Sequence, residues 1–151
     1  MTVRESEELV KVIFDVNDDT FGVGGEGVWA RPMGNDLYEI RNTPWHTCEI
    51  NWGDIVTGVP EQENQNPKIV EVVQRSGHRT LHIYFMATTE NEKMSVLTAL
   101  KDWKASFENC DGKLYAIDVD SGGDFEGLCE YLDGWGKGDK LDYRTVVSGK
   151  S

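Results

Sequence analysis

The change of pattern near residue 76 constrains the fold more than any other feature of this sequence. Residues 8–76 contain about five short runs of β-forming residues, separated by turn-forming glycine, asparagine, aspartate and proline. Residues 77–151 add two segments with helical spacing of apolar residues. The sequence therefore predicts an α+β protein. Its N-terminal part (1–76) would be a small β-barrel-like, SH3-like unit, packed on a C-terminal β-α-β-α-β ferredoxin-like layer (77–151) as one compact unit.

The predicted strands of the first part alternate with tight turns. A hairpin is expected around the Gly-Asn-Asp turn at residues 34–36. Trp29 is expected to pack inside the barrel, and Ile69 and Val73 occupy positions that allow burial. The glycine-rich residues 21–30 match neither phosphate-loop spacing, and they predict a flexible connection between strands.

In the second part, residues 81–85 alternate apolar and polar side chains as a strand does. Thr88 or Thr89 is a suitable N-cap for a helix that we expect to run to about Phe107, with Trp103 and Phe107 on its buried stripe. A strand at 113–119, a short helix capped by Asp124, and a last strand at 141–147 complete the prediction.

Charge and composition limit the functional class. The formal net charge is −12, which disfavours nucleic-acid binding. Residues 1–76 carry six Lys and Arg against fourteen Asp and Glu, so the acidity is concentrated there. No apolar run is long enough to cross a membrane, and no secretory signal is evident. The three scattered cysteines predict reduced thiols and a cytoplasmic location.

No catalytic or metal-binding motif has the required spacing. Ser76 and His78 are separated by one residue, which in an extended strand leaves their side chains about 6 to 7 Å apart, too far for a direct hydrogen bond. His46 beside Cys48 is equally weak as a nucleophile and base. The sequence contains no C-x-x-C, H-E-x-x-H or EF-hand spacing. We therefore expect neither an enzyme nor a cofactor or metal.

Six short motifs resemble, in order, the bacterial domain-of-unknown-function family 4265. They are VWA at 28–30, NTPW at 42–45, GDIV at 53–56, SGHRT at 76–80, AIDV at 116–119 and DY at 142–143. The chain departs from the usual family pattern at Trp45 (often Phe), Asp120 (often Pro) and Leu141 (often Trp). Some relatives lie beside polymorphic toxin genes, so the resemblance implies an immunity protein. The family offers no catalytic residues to carry over.

The preferred interpretation is a non-catalytic cytoplasmic protein that binds and neutralises a cognate toxin with a basic contact surface. An acidic surface accelerates the encounter with such a partner, and exposed tryptophans in turn regions are typical interface anchors. The predicted contact residues are Trp45, Glu49, Trp52, Asp54, Glu61 and Glu63.

The alternative is a small-ligand or anion-binding protein, or an enzyme without recognisable motifs, with a site at the junction of the two parts. Ser76, His78, Arg79 and His82 would line that site. Arg79 and the backbone N–H groups of the Ser-Gly turn could hold an anion. Both interpretations stay open on the sequence alone.

Overall fold

The computed structural model describes residues 8–15, 25–60, 62–63 and 65–145. The chain divides into two compact units, Met1–Ser76 and Gly77–Ser151. Within the described residues, no helix is both long enough and apolar enough to cross a membrane.

The first unit is a closed barrel of five strands, which confirms the predicted barrel. The strands are β1 (Val10–Asp15), β2 (Gly25–Gly34), β3 (Leu37–Ile40), β4 (Ile55–Val59) and β5 (Lys68–Gln74). Neighbouring strands pair antiparallel, and a parallel contact between β1 and β5 closes the barrel. Asn35 and Asp36 both have positive φ, 57° and 63°, as the two-residue turn of the β2–β3 hairpin requires.

Side-chain alternation along the strands builds the core of the barrel. In β2, Glu26, Val28 and Ala30 are buried, whereas the residues between them are exposed. Trp29 is one of the outward residues and is 47% exposed, so its predicted place inside the barrel is wrong. The buried apolar residues of the unit are Val12, Val28, Ala30, Ile40, Ile50 and Val56.

Two irregularities in β5 decide which of its valines face outward. Ile55 and Val56 of β4 pair with Gln74 and Val72, so Val73 is an extra residue on β5. A second shift, between Thr57 and Gly58 of β4, leaves Val70 of β5 without a pairing residue on β4. Each bulge reverses the side-chain alternation. Val73 is therefore 47% exposed and its predicted burial is wrong, whereas Ile69 packs against the core as expected.

The second unit is a four-stranded sheet with helices. Its elements are β6 (Arg79–Phe85), α1 (Glu90–Ala99), a 3₁₀ helix (Leu100–Trp103), β7 (Ala105–Asn109), β8 (Leu114–Val119), α2 (Phe125–Gly136) and β9 (Leu141–Thr145). The strands are ordered β7-β8-β6-β9, and every neighbouring pair is antiparallel. Leu81, Ile83 and Phe85 of β6 join residues of both helices in one core, as the alternation predicted.

The predicted long helix is wrong beyond residue 99. Thr89 caps α1 as expected, and its side chain and that of Glu92 form a capping box. The helix then tightens into the 3₁₀ helix, and Lys104 adopts a left-handed conformation with φ 58° that ends it. Phe107 therefore lies on an additional strand, β7, and the element order is β-α-β-β-α-β rather than β-α-β-α-β. Asp124 caps α2 as predicted.

Candidate functional site

The loop between β3 and β4 is held in place by the buried carboxylate of Glu26. One carboxylate oxygen accepts the backbone N–H of Trp45, and the other accepts those of His46 and Thr47, at 3.1 Å each. The alternation of β2 points this side chain inward, where it is 8% exposed. Backbone donors on three successive residues thus share one acceptor group, and an anionic acceptor forms the stronger class of hydrogen bond. The loop has a fixed backbone at Trp45.

A second buried carboxylate, Asp54, holds the end of the same loop. Its Oδ2 accepts the backbone N–H of Asn51 at 2.9 Å and lies 3.2 Å from Nη1 of Arg75. Its Oδ1 accepts the N–H of Ser76 at 2.9 Å. The side chain of Asp54 is 0% exposed. This predicted contact residue therefore supports the loop from inside and does not reach the surface.

A close approach of two chain segments also shapes the loop. Gly53 has φ 87°, and a Cβ at this position would lie 2.9 Å from the Cβ of Ser76. Glycine satisfies both the left-handed backbone and the lack of space. The hydroxyl of Ser76 donates to the carbonyl of Trp52 at 2.6 Å. This bond connects the residue before Gly53 to the last residue of the first unit.

Three tryptophans of the barrel reach solvent to different degrees. Trp45 is 37% exposed and Trp29 is 47% exposed. Trp52 is partly buried, and the guanidinium of Arg41 lies 5.4 Å from its ring centroid. The outward position of Trp29 follows from the alternation of β2. The sequence prediction missed it because it did not decide which alternate residues of that strand face the core.

The predicted acidic contacts have separate positions. Glu49 and Glu63 are exposed, in the β3–β4 and β4–β5 connections respectively. Glu61 lies outside the described residues. The carbonyl of Glu49 accepts from Nη1 of Arg75 at 2.8 Å, so the backbone beneath this exposed carboxylate is also fixed.

The four residues of the alternative site have different partners. Ser76 belongs to the first unit and is bonded to Trp52 there. In the second unit, Nδ1 of His78 lies 2.9 Å from Oδ1 of Asp118, and the guanidinium of Arg79 lies 3.8 Å from the ring centroid of Phe125. Arg79 shares a face of β6 with Leu81, whereas His82 points to the opposite face.

The two histidines of this set differ in their surroundings. The side chain of His82 is buried, and its Nδ1 lies 3.2 Å from Nη2 of Arg144. The partner of His78 is the partly buried carboxylate of Asp118. Burial raises the pKa of that carboxyl above its usual 3.8, and the hydrogen bond with His78 offsets part of the rise. A carboxylate against His78 opposes the binding of an anion at this imidazole.

One cavity of about 790 Å³ lies beside α2 and β9 in the second unit. Its lining includes Glu130, Asp133, Asp142 and Tyr143, and none of the contact or ligand residues predicted from the sequence. The Tyr143 hydroxyl donates to Oδ1 of Asp133 at 2.7 Å, so part of the acidic lining is already engaged. Within the described residues, no group of three or more His, Cys, Asp and Glu could hold a metal ion.

Comparison with known proteins supports the fold and the family. A crystal structure titled "Novel crystal structure of a hypothetical protein from Neisseria gonorrhoeae" is similar over 91% of this chain and 94% of that chain, with a TM-score of 0.79 and 16% sequence identity. At that identity the likeness concerns the fold alone. No curated protein matches the chain. The family model described as "Domain of unknown function (DUF4265)" matches residues 26–143. The chain belongs to this family, DUF4265.

Proposed function

We propose that this protein binds another protein without catalysing a reaction, and that its main contact surface is the β3–β4 connection, residues 41–54, which we call the aromatic loop. Trp45 is the main anchor of that surface, and Trp52 and the exposed Glu49 belong to the same connection. The exposed Glu63, in the β4–β5 connection, is a further proposed contact. The observation that carries the proposal is an exposed tryptophan on a backbone fixed by buried Glu26.

The physical reason is pre-organisation. A tryptophan buries a large area in an interface, and a loop that is already ordered loses little entropy when a partner binds. Three backbone N–H groups on one buried carboxylate restrict the loop before any contact is made. Asp54 restricts its other end. Asp54 itself is excluded from the contact residues because it is buried.

We propose a basic bacterial toxin as the partner, and neutralisation of that toxin as the function. The support is the net charge of −12, with the excess of acidic residues concentrated in residues 1–76. Complementary charge raises the association rate and makes it sensitive to salt. The implied location is the cytoplasm, which the three free cysteines favour.

Co-expression with the product of the neighbouring gene tests the proposal. We expect rescue of growth and co-purification, with an association rate that falls as ionic strength rises. Trp45→Ala should weaken binding by about 30-fold or more, the size of a tryptophan hot spot. The matched control is Tyr84→Ala, because Tyr84 is 44% exposed but lies on β6 of the other unit. Equal affinity of the two variants, or no rescue at all, contradicts the proposal.

The alternative, an anion- or ligand-binding site at Ser76, His78, Arg79 and His82, receives less support. Arg79 and His82 point to opposite faces of β6, and His78 pairs with a carboxylate. A melting-temperature shift on adding a small anion, lost in Arg79→Ala with the fold intact, would favour the alternative instead.

The finer fold class is also a proposal. We assign the barrel to the SH3-like type and the second unit to the ferredoxin-like type. The β-α-β-β-α-β order and the antiparallel strand order β7-β8-β6-β9 support the second assignment. Superposition of an experimental structure on reference members of both classes tests it, and a different strand order would reject it.

A further inference from the structure

The two edges of the four-stranded sheet differ in how they are protected. The strand order places β7 at one edge and β9 at the other. An edge strand presents unpaired N–H and C=O groups that can pair with another strand. On β9, the backbone N–H of Tyr143 donates to the carboxylate of Asp142 at 2.9 Å. That donor is occupied, and a negative charge lies at that edge.

No described strand pairs with the outward side of β7. The backbone N–H of Asp120 donates to Lys104 and that of Cys110 to Leu114, at the two ends of the β7–β8 pairing. Hydrogen-bonded pairs alternate along an antiparallel ladder, so the main-chain groups of residues 104, 106, 108 and 110 face β8. Those of residues 105, 107 and 109 face away. In the part of the chain that the structure describes, these outward groups make no hydrogen bond.

Phe107 is a fixed apolar side chain at the centre of this open edge. It is 47% exposed. Its ring centroid lies 5.8 Å from that of Tyr115 at an angle of 61°, and Tyr115 contacts Phe85 edge-to-face at 5.5 Å. Aromatic contacts of this geometry stabilise ring positions. One side of the Phe107 ring is thus held by the unit, and the other side is available to a partner.

We propose that β7 pairs antiparallel with β7 of a second copy of this chain, so that the two sheets join across a two-fold axis. The axis passes beside Phe107, whose outward N–H and C=O groups exchange hydrogen bonds with Phe107 of the second copy. Ser106 then lies opposite Glu108, and Ala105 opposite Asn109. This register places the two phenylalanines side by side and sets no like charges directly opposite each other.

The expected dimer is weak and depends on salt. A strand of five residues, Ala105–Asn109, offers less area than a standard stable interface. Each copy also carries a net charge of −12, and this repulsion is strongest when salt is scarce. Dimerisation should therefore increase with ionic strength, unlike the proposed binding to a basic partner.

Sedimentation equilibrium of the full chain tests the dimer. We expect a reversible monomer–dimer equilibrium, with more dimer at high salt. Phe107→Glu should abolish it, because the two new carboxylates would face each other. The control is Val70→Glu, which places the same charge on a valine that is 64% exposed on β5, and it should dimerise like the wild type. A wild type that stays monomeric at all concentrations, or a Phe107→Glu variant that dimerises equally, overturns the proposal.

A charge-swap experiment tests the register itself. Phe107→Glu and Phe107→Lys should each be monomeric, and their mixture should form a heterodimer, since residue 107 faces its own counterpart. Failure of the mixture to associate while the wild type dimerises rejects pairing through β7. If the charged variants do not fold by circular dichroism, Phe107→Thr keeps a β-forming residue and must still lose the dimer.

Discussion

Replacement of Glu26 by alanine provides the strongest single test of how the aromatic loop is held. The carboxylate accepts three backbone N–H groups, and the N–H of Thr47 is fully buried. A buried donor without an acceptor costs about 1–3 kcal/mol. The N–H groups of Trp45 and His46 are only part-buried, so water can replace the carboxylate at a smaller cost. We expect Glu26→Ala to lower the free energy of unfolding by about 3 kcal/mol.

Glu26→Gln should fall between the alanine variant and the wild type. The amide keeps one oxygen as an acceptor, but its NH₂ group replaces an acceptor with a donor facing another donor. We expect a loss of about 1–2 kcal/mol, because one of the three bonds is removed without leaving a cavity. The loss of stability in Glu26→Gln reports lost hydrogen bonding at nearly constant volume. The larger loss in Glu26→Ala adds the remaining hydrogen bonds and the missing side-chain volume.

Urea unfolding followed by circular dichroism measures these differences. Hydrogen exchange of the amides of Trp45, His46 and Thr47 reports on the loop itself, and both variants should lose protection there first. The control is Glu71→Ala, because Glu71 is exposed on β5 and should change stability by less than about 0.5 kcal/mol. If Glu26→Ala left the exchange protection of these amides unchanged and lowered the free energy of unfolding no more than Glu71→Ala does, the assignment of Glu26 as the support of the loop would be refuted.

Three further substitutions test other contacts. Tyr143→Phe removes a hydroxyl that donates to the exposed carboxylate of Asp133. It should lower the free energy of unfolding in urea by about 1 kcal/mol. Burial raises the pKa of Tyr143, so in the wild type its phenol should resist ionisation in an alkaline absorbance titration. Because burial raises the folded-state pKa of Asp118 above 3.8, this group stabilises the fold most at low pH, and its contribution falls as pH rises through the raised value. Asp118→Asn should therefore flatten the pH dependence of the melting temperature above pH 3.8; an unchanged profile would contradict the shift. Thr89→Ala removes the helix cap and should cost about 1 kcal/mol, whereas Thr98→Ala within the helix should cost nothing.

Predictions from local chemistry were largely correct. The Gly-Asn-Asp turn gave a hairpin, Thr89 and Asp124 gave helix caps, and the alternation after residue 80 gave a buried strand face. Each of these depends on residues a few positions apart, because turns, caps and strand alternation are decided by local backbone geometry.

The errors occurred where local pattern did not decide the outcome. Phe107 fits the helical stripe of α1, yet the chain changes to a strand because β8 offers a pairing partner and Lys104 ends the helical turn. Val73 fits the alternation of β5, yet a bulge turns it outward. Local propensity and periodicity have small effects compared with strand pairing in the folded protein, and they carry no information about which distant strand will pair.

The sequence by itself determined most of the elements, the change of pattern at residue 76 and the family, because these depend on local spacing and on ordered motifs. Only the tertiary structure decided what the acidic residues do. Asp54 was predicted at the surface and supports the loop from inside, whereas Glu26 binds backbone groups 19 to 21 residues away. A carboxylate in a sequence carries no sign of burial. Its role depends on which distant N–H groups the folded chain brings within hydrogen-bond distance.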